Sequence, residues 1–164
     1  MAWLEITVST VNADLNKTAA ALTAAGSLLK QMLAAQGIRI GTHVLCLGDI
    51  HDRRFDALDP EIAALAGKNP AVLEDAVLAD MKAAVAAAKA AGDSLGGVLE
   101  TAVCGLPAGV GEPFFDTVEG HLAKAMFAIP GVKGISFGAG FDFAGMKGST
   151  ANDPFVNKDG VIRT

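Results

Sequence analysis

The alternation of hydrophobic and polar residues along the chain predicts strands and helices in turn. Trp3–Val11 places Leu4, Ile6 and Val8 on one side and polar residues on the other, which is typical of a strand with one wet face. The later segments with helix or strand periodicity are helix Leu15–Ala35, strand Ile38–Leu47, short helix Pro60–Ala66, helix Pro70–Ala91, strand Val98–Gly105, helix Phe114–Ala128 and strand Val132–Phe137. The predicted order is therefore β-α-β-(α)-α-β-α-β, followed by a loop and an irregular C-terminal segment.

Two glycine-rich loops lie in the second half of the chain. The run GLPAGVGEP at 105–113 combines prolines and glycines, so it predicts an exposed turn and not a helix or strand. The run GAGFDFAGMKGS at 138–149 resembles a phosphate-binding P-loop only loosely, because Gly148 separates Lys147 from Ser149 and the required spacing is broken. Its glycines could still bring backbone N–H groups close to a phosphate or a flavin, and a plain glycine-rich turn is the alternative.

Composition and charge narrow the class of protein. A length of 164 residues suits one domain, and although 51% of the residues are hydrophobic, no apolar run is long enough to predict a membrane span. The net charge of −5 lacks the basic excess that nucleic-acid binding requires. Cys46 and Cys104 lie in apolar strands without metal-ligand spacing, so we expect free, buried thiols in a cytoplasmic protein with no metal site.

The polar connection at 48–69 carries the most concentrated ionisable chemistry. His51-Asp52-Arg53-Arg54 places an imidazole, a carboxylate and two guanidiniums together, and Arg53 and Arg54 could bind a phosphate or carboxylate. A solvated surface loop is the alternative interpretation.

The other two histidines have structural interpretations. His43 lies in an apolar strand and is expected in the core, whereas His121 has charged neighbours in a helix and is expected at the surface. No histidine has a serine or cysteine partner at a recognisable nucleophile elbow, so the sequence does not predict a hydrolase triad.

A series of ordered motifs then supports a family resemblance. They are GDSLGG at 92–97, GLPAGVGEP at 105–113, IPGVKG at 129–134, FGAGF at 137–141, and the pairs Gly148-Ser149 and Asn152-Asp153. In this register the chain resembles chorismate synthase, with weaker similarity extending back to residue 17. The resemblance implies an α+β fold of the β-α-β sandwich type, in which antiparallel sheets pack on helices.

The resemblance also implies a reaction and ligands. Chorismate synthases eliminate phosphate from 5-enolpyruvylshikimate 3-phosphate to give chorismate, with reduced FMN as an essential cofactor. The flavin-contacting pair of the family corresponds to Pro130 and Gly131 here, where the family asparagine side chain is replaced by proline. The resemblance implies a small-molecule substrate. The high apolar fraction predicts a homo-oligomer, and the composition predicts a cytoplasmic protein without a nucleic-acid or membrane partner.

Other parts of the family pattern have no counterpart. Both catalytic histidines of the family are missing by position, so their roles are not transferred to His43, His51 or His121, and the catalytic residues stay unknown. We predict a single domain over 1–164, with an atypical replacement strand and turn at 1–16 and the chorismate-synthase-like core at 17–164. The resemblance thus implies a truncated form that is inactive by itself; the alternative is a non-catalytic, self-associating scaffold or an engineered fragment of that fold.

Overall fold

The computed structural model describes residues 2–8, 16–152, 154–158 and 160–163. Within them the strands are β1 (Ala2–Val8), β2 (Arg39–Leu47), β3 (Ile50–His51), β4 (Gly97–Cys104), β5 (Val132–Phe137), β6 (Val156–Lys158) and β7 (Val161–Arg163). The helices are α1 (Asn16–Ala35), α2 (Leu58–Ala64), α3 (Ala76–Ala90), α4 (Val118–Phe127) and α5 (Gly148–Ala151), with a 3₁₀ turn at Gly140–Gly145.

The central sheet has the strand order β3-β2-β4-β1-β5, and β6 pairs with β7 in a separate ribbon. Every strand pairing in the described residues is antiparallel. This confirms the predicted α+β class with an antiparallel sheet packed on helices. The register brings His43 opposite Glu100 on the neighbouring strand, which places both residues on the same face of the sheet.

Each face of the sheet packs against a different helix. Ile62 of α2 lies so close to the face carrying Ala102 that a Cβ on Gly41 would fall 2.6 Å from its Cγ1 atom. On the opposite face, Met126 of α4 packs with Val132 and with the half-buried Leu99. The sheet therefore separates two apolar clusters, and the His43–Glu100 pair belongs to the face covered by α2.

Several predicted boundaries were wrong, and each has a local cause. The helix predicted over Pro70–Ala91 begins only at Ala76, because the preceding residues run beside β2, where Ala71 accepts a hydrogen bond from the Val44 N–H at 2.9 Å. The helix predicted from Phe114 begins at Val118, after Thr117, whose hydroxyl oxygen accepts the Gly120 N–H at 3.1 Å as an N-cap.

The remaining differences are smaller. The short strand β3 and the β6–β7 ribbon were not predicted, and the segment predicted as a loop at 138–149 contains the 3₁₀ turn and the start of α5. The end of the first predicted strand, at residues 9–11, lies outside the described residues. The turn predicted at 105–113 is exposed, as expected.

Candidate functional site

A buried cluster of three ionisable side chains lies at the centre of the face covered by α2. The imidazole of His43 stands between two carboxylates: its Nδ1 atom lies 3.2 Å from Asp52 Oδ2 and its Nε2 atom 2.8 Å from Glu100 Oε2. All three side chains are at most 1% exposed. Charged groups so deeply buried persist only when they are paired and hydrogen-bonded, so the cluster must be held by its surroundings.

Asp52 is held by the backbone of two segments. Its carboxylate accepts N–H groups from Leu73 at 2.6 Å, from Arg53 at 2.9 Å and from Glu74 at 3.1 Å. The carboxylate therefore ties the start of the 52–55 loop to the extended segment that precedes α3. The solvated surface loop inferred from the sequence is wrong for Asp52: the whole residue, backbone included, is only 7% exposed. His51, Arg53 and Arg54 of the same loop are exposed.

Glu100 holds the other end of the same loop. Its Oε2 atom accepts the Phe55 N–H at 3.0 Å, and its Oε1 atom lies 3.4 Å from Arg54 Nη1. The ring of Phe55 meets His43 edge to face, with ring centroids 4.7 Å apart. The loop residues 53–55 are thus fixed by one carboxylate at each end, with His43 between the two carboxylates.

A cavity opens beside this cluster. Its volume is about 240 Å³, and it is lined by Arg54, Phe55, Glu100, Gly138, Ala139, Asp142 and Met146. The Arg54 side chain is 54% exposed, so its guanidinium lies between the buried carboxylate and solvent. The cavity brings one of the two sequence-predicted arginines together with the glycine-rich loop that begins at Gly138.

The neighbouring arginine is placed differently. Arg53 Nε lies 2.6 Å from Glu74 Oε1, and its Nη1 atom lies 2.6 Å from Glu61 Oε1. The hydrogen bonds to Glu74 and Glu61 raise the pKa of the Arg53 guanidinium above its ordinary value. Arg53 therefore connects α2 to the segment before α3, whereas Arg54 borders the cavity.

The ion pair between Arg53 and Glu61 can be tested through the pH dependence of stability, because it affects the pKa of the Glu61 carboxyl group. Burial raises its pKa, but the Asp56 N–H at 2.8 Å and the Arg53 guanidinium outweigh burial, and the pKa lies below its ordinary value. A lowered folded-state pKa means that the ionised group stabilises the fold above the unfolded value of about 4.3, and that this contribution is lost as the pH falls.

We predict that Glu61→Gln lowers the free energy of unfolding at neutral pH and that the difference from the unmodified protein shrinks below about pH 4. Urea unfolding at several pH values measures it. Asp80→Asn, at an exposed position of α3, is the control and should show a small difference at every pH. A Glu61→Gln deficit that stays constant down to acid pH would contradict the assignment.

Pro130 and Gly131, the predicted flavin contacts, lie away from the cavity that Arg54 borders. They form the turn between α4 and β5, with Pro130 exposed, Gly131 half-buried and a Gly131 φ of 97°. Gly138 follows the opposite end of β5, and six strand residues at about 3.3 Å each separate the two turns by roughly 20 Å. Among the described residues, Pro130 and Gly131 do not line the cavity that Arg54 borders.

Glu100 and Asp142 were missed by the sequence reasoning. Glu100 is the one acidic residue in the apolar strand GVLETAVC, and that isolated charge was the available signal. Among the described residues, no group of three or more His, Cys, Asp or Glu side chains has the arrangement to hold a metal ion. In the same part of the chain, no helix is both long and apolar enough to cross a membrane.

Comparison with known proteins gives one consistent result. The family model described as chorismate synthase matches residues 11–164. The chorismate synthase of Methanocella arvoryzae is 42% identical over 142 residues, covering 86% of this chain and 38% of that protein. The chorismate synthase of Methanosarcina acetivorans is 44% identical over 140 residues, covering 85% and 38%.

A solved structure agrees with the sequence comparisons. A crystal structure of chorismate synthase superposes with a TM-score of 0.71 at 27% identity, covering 82% of this chain and 44% of that one. The chain therefore spans about 38% of the length of the curated relatives it matches. The match of residues 11–164 and the shared fold show that this chain belongs to the chorismate synthase family.

Proposed function

We propose that this chain provides the central core of a chorismate synthase, an enzyme that eliminates phosphate from 5-enolpyruvylshikimate 3-phosphate to form chorismate. The observation that carries the proposal is the family match over residues 11–164. The chain spans about 38% of the length of these relatives, and turnover by this chain alone is not part of the proposal. What this core contributes is ligand contact, and the catalytic residues stay unassigned.

Arg54 is the proposed contact for the anionic substrate. A guanidinium offers paired N–H donors whose geometry matches carboxylate and phosphate oxygens. Arg54 borders the 240 Å³ cavity opposite Gly138 and Ala139, where it can meet a ligand. Arg53 was proposed from the sequence with equal weight; its ion pairs with Glu61 and Glu74 favour a supporting role, in which it fixes the loop that carries Arg54.

Pro130 and Gly131 are the proposed contact for reduced FMN. The positive φ of Gly131 and the exposure of Pro130 suit a turn that lets a planar ring approach its backbone. When bound, the reduced flavin supplies electron density that assists the departure of phosphate. The residues of this chain would bind and orient: the turn before β5 contacts the flavin and the cavity after β5 contacts the anion, so at roughly 20 Å apart they contact different parts of the bound ligands.

Flavin titration tests this proposal. We expect FMN fluorescence to be quenched saturably by the protein, and the quenching to tighten in the presence of 5-enolpyruvylshikimate 3-phosphate. Arg54→Met should weaken the effect of the substrate about tenfold, since one charge-assisted hydrogen bond to an anion contributes about 1.5–3 kcal/mol. The matched control is Arg39→Met, which removes an arginine that pairs with Asp59 at 2.7 Å. Absence of quenching at high micromolar protein would overturn the flavin assignment.

A self-associating scaffold is the second candidate function, and one surface favours it. The 20-residue helix α1 leaves four large apolar side chains mostly exposed, namely Leu22, Leu28, Leu29 and Met32, at 57–65%. Apolar surfaces of this kind commonly mark association sites. Under this candidate α1 is buried between copies of the chain. Light scattering coupled to size exclusion would give a mass of one chain if it is wrong.

We also propose a location for the protein in the cell. Cys46 and Cys104 are free thiols, buried and half-buried respectively, and burial is the main cause that raises the pKa of each. Unreactive, unpaired cysteines are compatible with a reducing compartment. We therefore place the protein in the cytoplasm, where its proposed substrate would be a soluble metabolite.

A further inference from the structure

The buried cluster of His43, Asp52 and Glu100 lies next to the cavity, yet none of its atoms is needed as a direct ligand contact in the proposed function. We infer that His43 is a buried imidazolium that positions Arg54 through Glu100. His43 is thus a positioning residue, and its assignment to a substrate site rests on the proposed function. The hydrogen bonds on both sides of the ring support this charge state.

The Asp52 side requires a donor from the ring. Both Asp52 oxygens accept backbone N–H groups: Oδ2 accepts from Leu73, and Oδ1 accepts from Arg53 and Glu74. A carboxyl group with three such donors is held in its ionised, acceptor-only form. His43 Nδ1, 3.2 Å from Oδ2, must therefore carry a hydrogen that it donates.

The Glu100 side requires a second donor. Oε2 accepts the Phe55 N–H, and Oε1 faces the Arg54 guanidinium, so this carboxylate is also surrounded by donors. His43 Nε2 lies 2.8 Å from Oε2, the shorter of the two ring contacts. A neutral imidazole carries one N–H, whereas the two carboxylates here require a donor on each ring nitrogen. The imidazolium carries both N–H groups. A neutral ring facing a protonated Glu100 is the competing arrangement.

The charge of the His43 ring affects the cavity through Glu100 and Arg54. Asp52 has three backbone donors, whereas Glu100 has one, so the imidazolium charge matters more to Glu100. Among the described residues, the charged groups that meet at the cluster include His43, Asp52, Glu100 and Arg54. Without the imidazolium, the buried charge of Glu100 would be met mainly by Arg54, and the guanidinium would be drawn from the cavity towards the sheet.

Nitrogen NMR of the histidine side chains tests the charge state directly. Because both ring nitrogens of His43 face carboxylate oxygens, we expect both to show the shifts of protonated nitrogens. His121, whose side chain is 63% exposed and lies 3.3 Å from Asp116 Oδ1, provides the internal reference for an exposed ring beside a carboxylate. A single protonated nitrogen in His43 would overturn the inference and would support the protonated Glu100 arrangement.

A pair of variants tests the positioning role without any ligand. In His43→Gln the Arg54 Nε–H signal, identified by its absence in Arg54→Met, should shift and exchange more slowly with solvent, and the other signal changes should be confined to the 52–55 loop. Adding Glu100→Gln removes the uncompensated carboxylate and should move that signal back towards its original position. An unchanged Arg54 signal in a folded His43→Gln protein would contradict the positioning role.

Substrate binding separates this inference from the proposed function. His43→Gln should weaken binding of 5-enolpyruvylshikimate 3-phosphate by about tenfold or more, because a displaced binding group loses most of its contribution. Arg39→Met should leave binding unchanged. If the unmodified protein does not bind the compound, the proposed function fails, while the NMR results still decide whether His43 is charged and holds Arg54.

Discussion

Replacing Asp52 by alanine is expected to lower the free energy of unfolding by about 3–5 kcal/mol, the range for breaking a buried ion pair from one side. The carboxylate accepts three backbone N–H groups and one hydrogen from His43, and alanine offers none of these acceptors. The variant therefore leaves several buried donors without partners and a buried positive charge beside them. Urea unfolding, followed by circular dichroism and tryptophan fluorescence, gives the difference.

Two further variants sharpen this measurement. Asp52→Asn keeps the shape but turns one acceptor oxygen into an amino group that faces N–H donors, so a large loss is expected there as well. Asp56→Ala changes an exposed aspartate of the same loop and should stay within about 0.5 kcal/mol of the unmodified protein. A loss below about 1 kcal/mol in Asp52→Ala would mean that the 52–55 loop and the segment before α3 are held by other contacts.

The sheet was the part of the fold most accessible from the sequence. The strand predicted at Ile38–Leu47 begins one residue before β2, the one at Val98–Gly105 is displaced from β4 by one residue at both ends, and the one at Val132–Phe137 coincides with β5. Apolar runs bounded by glycine carry this information locally. The order of the strands in the sheet is not local, and the antiparallel class followed from the family resemblance, which the solved relative supports.

The helix starts could not be read from local periodicity because distant groups compete for the backbone. Residues 70–75 have helical composition, but the N–H groups of Leu73 and Glu74 are taken by Asp52, about twenty residues earlier in the chain. A carboxylate that recruits these donors outweighs the small propensity gain of one more helical turn. The sequence alone therefore indicates the helix propensity of residues 70–75 but not the hydrogen bonds that the Asp52 carboxylate accepts from them.

In the candidate site, too, the features of single residues could be predicted from the sequence, whereas the contacts between strands could not. His43 was correctly expected in the core, and Arg53 and Arg54 were together predicted as anion contacts, but Glu100 was overlooked. The link between them is the register that sets His43 opposite Glu100 across β2 and β4. Two isolated ionisable residues in apolar strands are a hint of a buried pair, but only the pairing of the strands turns that hint into a contact.

Gly105→Ala is the second variant with a large expected effect, because it acts on the junction that fixes this register. Gly105 follows β4 with a φ of +78°, and a Cβ at this position would fall onto the backbone carbonyl of Gly37, just before β2. A left-handed alanine costs about 1–2 kcal/mol, and forcing two backbones apart adds about 1–3 kcal/mol. We expect a total loss of about 3 kcal/mol in urea unfolding.

Gly109→Ala is the matched control, since it shares the backbone conformation without the close approach. Gly109 has a φ of +86°, and nothing lies within 4 Å of a Cβ built there. The difference between the two variants therefore measures the contact between the β4 end and the β2 start alone. If both variants lose the same amount, this junction can relax. The register that brings His43 to Glu100 would then depend on the buried cluster itself, and Asp52→Ala should move the backbone amide signals along β2 and β4 as well.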